Sequence, residues 1–226
     1  MSQLAEPVST RHYWGGFSPL YDAMETLMEF RLTYSGLMMG NGNGDHKHGI
    51  RRKFHQQLKR LWQIYPHLKS RHDAIYRELY GERPFAQVLG ENFSRNGFNF
   101  VPLVNNFHAP SGILPVVSVD VLFLRSGRPG HIFKSADIDA RLKTLFDALQ
   151  MPQSGQEIGN NAPAEDEKPF YVLLQDDRYI GNVSVNTDTL LQPTYEAGVA
   201  GHDNTHDTRL IIAVKIQSYD HGVFLP

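Results

Sequence analysis

Apolar and polar positions alternate with a period of two over Phe30-Arg31-Leu32-Thr33-Tyr34, which predicts a strand near the start of the chain. Phe54, Leu58, Leu61, Trp62 and Tyr65 then recur at helical spacing and predict a helix that Pro66 ends, because proline removes a donor and crowds the preceding turn. A second helix is expected over roughly 70–80. From Phe93 to Pro115 short apolar runs are broken by Asn, Gly and Pro, which supports no more than a strand or two. Val117-Ser118-Val119-Asp120-Val121-Leu122-Phe123-Leu124 is apolar enough for an interior strand, closed by turn residues at 126–130.

The pattern then changes to a helical one. Ile138, Leu142, Leu145, Phe146 and Leu149 mark one face of a helix over 137–149, and Asp139, Lys143 and Asp147, four residues apart, form a polar stripe on another. Strands follow over Phe170–Leu174, over Tyr179–Val185 as its hairpin partner or neighbour, and over Arg209–Ile216. These elements predict an α+β fold: a single domain over 23–226, with a mixed β-sheet of about four to six strands and helices packed on it. Residues 1–22 have no period and read as an arm lying on the surface or on a partner.

Two stretches break the pattern without adding to the sheet. Gly40-Asn41-Gly42-Asn43-Gly44-Asp45-His46-Lys47-His48-Gly49 lacks the endings of phosphate-binding loops and reads as a flexible connection, with His46 and His48 as loop residues lacking a third ligand. The stretch 151–168, with Glu157, Glu165, Asp166 and Glu167, reads as an acidic insertion loop with little to bury. His202, Asp203, His206 and Asp207 are read as loop polars.

Composition narrows the function. There is no cysteine, so disulfides, thiolate metal sites and a cysteine nucleophile are excluded. No run reaches the length of a membrane span and no secretory leader is evident, so the chain is read as cytoplasmic, with no membrane partner. The net charge of −2 argues against indiscriminate coating of nucleic acid, but nine Lys or Arg face three acids between Arg51 and Arg83. That basic helical segment, 50–83, therefore offers Arg51, Arg52, Lys53, Lys59 and Arg60 as phosphate contacts, against the alternative of a solvated helix face.

Asp137 and Asp139 at a helix start, Lys143 one turn later and Asp176-Asp177 at the end of a strand are the candidate chemistry. If the four carboxylates share one cleft they repel one another and need a cation, and hard oxygen ligands suit Mg²⁺ or Mn²⁺. Otherwise they are helix caps and a turn that never meet. The run Asp137-x-Asp139-x-x-x-Lys143-x-x-x-Asp147-Ala148-Leu149, with Asp176-Asp177 opening a strand, resembles the core pattern of RusA-type Holliday-junction endonucleases. The resemblance implies a RusA-like fold, metal-binding carboxylates at Asp137, Asp139, Asp176 and Asp177, and a catalytic lysine at Lys143. It also implies a homodimer that cuts opposed strands of branched DNA with Mg²⁺. Ala140 stands where the family commonly has Asn. The rival expectation is a RusA-like module that binds DNA structure without cutting.

Overall fold

The computed structural model describes residues 28–65, 68, 74–106, 113–125, 138–191 and 207–220. Their order is β1 (Met28–Leu37), α1 (Gly44–Ile64), α2 (Ala74–Tyr80), α3 (Phe85–Asn92), β2 (Ser94–Arg95), β3 (Phe98–Val104), β4 (Ile113–Arg125), α4 (Ile138–Leu149), β5 (Phe170–Leu174), β6 (Ile180–Thr189) and β7 (Asp207–Asp220). The fold is α+β, as the periodicity predicts. The arm at 1–22, Asp137, His202, Asp203 and His206 lie outside the described residues.

A four-stranded mixed sheet runs β1-β7-β4-β6, with β7 antiparallel to both neighbours and β4 parallel to β6. Its register sorts the side chains by row. Leu32, Ile212, Val121 and Val185 align on the inner face, and Thr33, Ile211, Leu122 and Asn186 align on the outer one. The inner face packs with Phe54, Leu58, Leu61 and Trp62 of α1 and Leu145, Ala148 and Leu149 of α4 in one core. A three-stranded sheet, β2-β3-β5, joins the same core through Val101, Val104, Leu173 and Leu174. Burying these aliphatic and aromatic side chains is the main term holding the two sheets together, about 1.5–3 kcal/mol each before chain entropy is subtracted.

Three expectations change. The glycine run is a connection only as far as Asn43: Gly44 to Gly49 are the first turns of α1. Asn43 caps that helix, its side chain accepting from the His46 N–H at 2.9 Å, and burial of His48 and Ile50 offsets the roughly 1 kcal/mol that each helical glycine costs. The acidic stretch 151–168 is packed. Met151 and Ile158 bury with Phe98, Phe100, Phe170 and Val172 in a second small core, and the Glu167 carboxylate is bound by Arg52. Finally, β5 and β6 are not a hairpin. A single 3-10 turn at Asp177–Tyr179 carries the chain from one sheet to the other, where β6 pairs with β4. Helix α3 was not predicted, although Pro84 followed by Phe85, Val88 and Leu89 carries both its start and its buried face.

Candidate functional site

Helix α4 turns the expected apolar face inward but rotated toward Arg141 and Thr144, with Leu142 and Phe146 packed on the edge of the core. Arg141, Thr144, Leu145, Ala148 and Leu149 are buried, whereas Ile138, Leu142 and Phe146 are half-buried. The polar stripe on the other side is present but divided. Asp139 and Lys143 are exposed, and no described residue bonds to either side chain. Asp147 is tied down, its Oδ2 2.7 Å from Lys47 Nζ. Spacing alone does not reveal Lys47 as the partner, because its place on a helix depends on where α1 begins.

The far end of α4 is held by Arg51, which is 1 % exposed. Its guanidinium donates to the carbonyl oxygens of Asp147 at 2.6 Å, Gln150 at 3.1 Å and Glu157 at 3.4 Å, and its Nη1 lies 3.2 Å from His48 Nδ1. The first two are carbonyls that the helix itself leaves unpaired, at the negative end of its dipole. Burial pushes the Arg51 pKa down to about 10, with Glu157 and Asp147 opposing, so the group stays charged at neutral pH.

Asp176 and Asp177 stand at that same far end. The Asp177 N–H donates to Gln150 Oε1 at 3.0 Å, and Met151 N–H donates to the Leu174 carbonyl at 2.7 Å. Asp176 caps the turn that starts β6: its Oδ1 accepts from the Arg178 N–H at 3.0 Å and lies 3.8 Å from Arg178 Nε. Asp177 keeps an exposed carboxylate. Asp139 and Gln150 are separated by roughly 16 Å of helix rise. The two acidic stretches therefore flank α4 at opposite ends, and among the described residues no group of three or more His, Asp or Glu converges on a cation position. The expected ligands whose places the structure gives, Asp139, Asp176 and Asp177, are therefore not gathered at one end of the helix, and Asp137 lies outside the described residues.

The start of α4 has a different neighbour, the glycine-rich connection. A Cβ built on Gly40 would fall 2.9 Å from the Ala140 Cβ, and Gly42 N–H reaches Thr144 Oγ1 at 3.4 Å. Gly40→Ala is accordingly expected to lose about 1–3 kcal/mol through overpacking. A double-mutant cycle with Ala140→Gly, read by urea unfolding, should return a favourable coupling; no coupling would mean that the two do not touch.

The basic segment needs a second correction. Arg51 faces the interior and is not open to a ligand. Arg52 binds the packed acidic segment, with Nε 2.6 Å from Glu167 Oε1 and Nη1 2.8 Å from Asn161 Oδ1. Burial alone would push the Glu167 carboxyl up, but hydrogen bonds from Arg52 and the Ala164 N–H outweigh it and hold the carboxyl below its ordinary value. Lys59 Nζ donates to the Asp166 carbonyl at 2.6 Å. Lys53 bonds the Ser35 carbonyl at 2.5 Å and lies over the Tyr34 ring, while Arg60 reaches Gln63 on its own helix. Cations that the sequence offers to a phosphate are thus largely engaged by this chain's own carbonyls and carboxylates.

A groove of about 410 Å³ lies on the β1-β7-β4 part of the sheet, lined by Glu29, Arg31, Asp120, Ala213 and Lys215 among others. Lys215 and Glu29 pair within it at 3.6 Å, and α4 contributes nothing to it. No protein-family model, curated protein or solved structure matches the chain. Among the described residues no helix is long and apolar enough to cross a membrane.

Proposed function

We propose that the chain is a metal-dependent endodeoxyribonuclease acting on branched DNA, RusA-like in its chemistry and working as a homodimer. One observation carries the reading: α4 buries one face completely yet leaves Asp139 and Lys143, one turn apart, exposed and without a partner among the described residues. A carboxylate and an amine that stand exposed and bond to no described side chain are available to a ligand. Mg²⁺ keeps several waters and is commonly held by one or two carboxylates together with substrate phosphates, so the Asp139 end of the helix, with Asp137 beside it in sequence, suits such an ion. Mn²⁺ has the same ligand preference. A bound ion would lower the pKa of an attacking water and offset charge on the phosphate. Lys143 would place its ammonium against the same phosphate.

The test is incision of a synthetic four-way junction in Mg²⁺. Asp139→Asn is expected to lower the rate by at least about 100-fold with little change in melting temperature, since Asp139 has no role in packing. Equal cutting by Asp139→Asn and the unaltered chain would remove the proposal. Asp177→Asn in the same assay reports on the other end of α4. A loss as large as that of Asp139→Asn would mean that the two acidic stretches meet between two copies of the chain.

The separation of Asp139 from Asp177 favours a second reading, a DNA-structure-binding module without catalysis. It expects junction binding that survives EDTA, with no strand scission under Mg²⁺ or Mn²⁺.

A further inference from the structure

Between β1 and α1 the chain runs Met38-Met39-Gly40-Asn41-Gly42-Asn43, and almost every group in it is spent on fixing it in place. Met39 N–H donates to His46 Nε2 at 3.2 Å, Gly42 N–H to Thr144 Oγ1 at 3.4 Å, and the Asn43 side chain accepts from the His46 N–H at 2.9 Å. Gly40 rests on Ala140, with no space for a side chain of its own. The Asn41 side chain takes no part in this. The φ of Asn41 is 57°, in the left-handed region where glycine is the least costly residue, and its side chain is exposed with no described partner.

An exposed Asn in a left-handed turn is often no more than a tolerated substitute for glycine. One feature argues for more: the glycines on either side seat the loop closely against α4 and His46, so the loop delivers that carboxamide to a definite place. Its footholds Ala140 and Thr144 lie on the flank of α4 next to the Asp139–Lys143 stripe, and Lys47, just beyond the loop, reaches Asp147 on that stripe. Gly42 is buried and Asn41 exposed, so Asn41 is on the loop's outer side.

We propose that Asn41 is a substrate-contacting residue, whose side-chain NH₂ donates a hydrogen bond to a non-bridging oxygen of a DNA phosphate held at Asp139 and Lys143. The identity of the ligand rests on the nuclease reading. A neutral amide suits this position, because it offers two donors to an anion and does not compete for charge with Lys143 or a cation.

Asn41→Gly separates contact from fold, since glycine accepts the same φ without strain. Its melting temperature should equal or exceed that of the unaltered chain. Its junction cleavage in Mg²⁺, and its junction binding in Ca²⁺ where no turnover is required, should fall by about ten- to one hundred-fold, the loss of one hydrogen bond to a charged oxygen. Asn41→Asp, which keeps the shape but turns an acceptor toward the phosphate, should fall further. Wild-type levels of both cleavage and binding in Asn41→Gly would overturn the assignment. If the unaltered chain binds junctions without cutting them, the nuclease reading fails while weaker binding by Asn41→Gly still upholds the contact. If the unaltered chain binds no DNA, both fall.

Discussion

Arg51→Ala is expected to lower the free energy of unfolding by about 3–5 kcal/mol, the largest loss foreseen for any of the basic residues. The guanidinium is buried and satisfies three carbonyls, those of Asp147, Gln150 and Glu157, which belong to two different segments. Alanine leaves these acceptors dry and unpaired and opens a cavity beside His48. Lysine is a poor replacement, because its single ammonium cannot span the angle between the Asp147 and Gln150 oxygens as the planar fork does. Urea unfolding at neutral pH checks the value. A loss below about 1 kcal/mol would contradict the buried clamp and return Arg51 to the surface role its sequence suggests. The same measurement on Arg60→Ala, an exposed residue, should show a change within about 0.5 kcal/mol.

Acidification should destabilise the fold through His48, with an expected loss of about 3 kcal/mol between pH 6.5 and 4. The ring is fully buried, stacked on Phe170 and edge-on to Phe98. Burial first, and then the charges of Arg51 and Arg52, push its pKa down from 6.5 to about 4, with Glu167 and Asp45 opposing. The folded state therefore refuses a proton that the unfolded chain accepts. Stability is unaffected by this group above pH 6.5, falls by about 1.4 kcal/mol per unit as pH drops toward 4, and is flat below that. His55, whose Nδ1 accepts from the Tyr171 N–H at 2.8 Å, is also lowered by burial and adds in the same direction. The contribution of His48 is isolated by comparison with His48→Gln. The variant's unfolding free energy should change less with pH over that window than the wild type's, and parallel curves would show that His48 does not titrate as its burial requires.

Both effects arise on α1, the helix that positions α4. Arg51 fixes the far end of α4 and Lys47 pairs with Asp147, while the loop that precedes α1 seats on Ala140 and Thr144. A loss of this support should disturb the Asp139–Lys143 stripe without touching it. Variants of Arg51 should therefore be read for stability before any loss of activity is attributed to contact with DNA.

The sequence by itself determined the strands and α4. In β1 and β4, and in the closing strand β7, side chains alternate between a packed face and a solvated one or are apolar throughout, and that pattern is local. It also set Asp139 and Lys143 on one helical stripe, because spacing along a helix is fixed by its pitch. Only the tertiary structure decided which basic residues are free. Helical spacing already sets Arg51 on the face of Phe54, Leu58, Leu61 and Trp62 and Arg60 on the opposite one, but only the fold brings the end of α4 and the 151–168 segment against Arg51 to receive its guanidinium. The glycine run became a helix start because burial of His48 and Ile50 outweighs poor intrinsic propensity, a term that exists only once β5 and α4 are in place. The distance between the two acidic stretches was likewise invisible, since it depends on Gln150 docking beside Leu174 and so leaving Asp177 at the far end of the helix from Asp139.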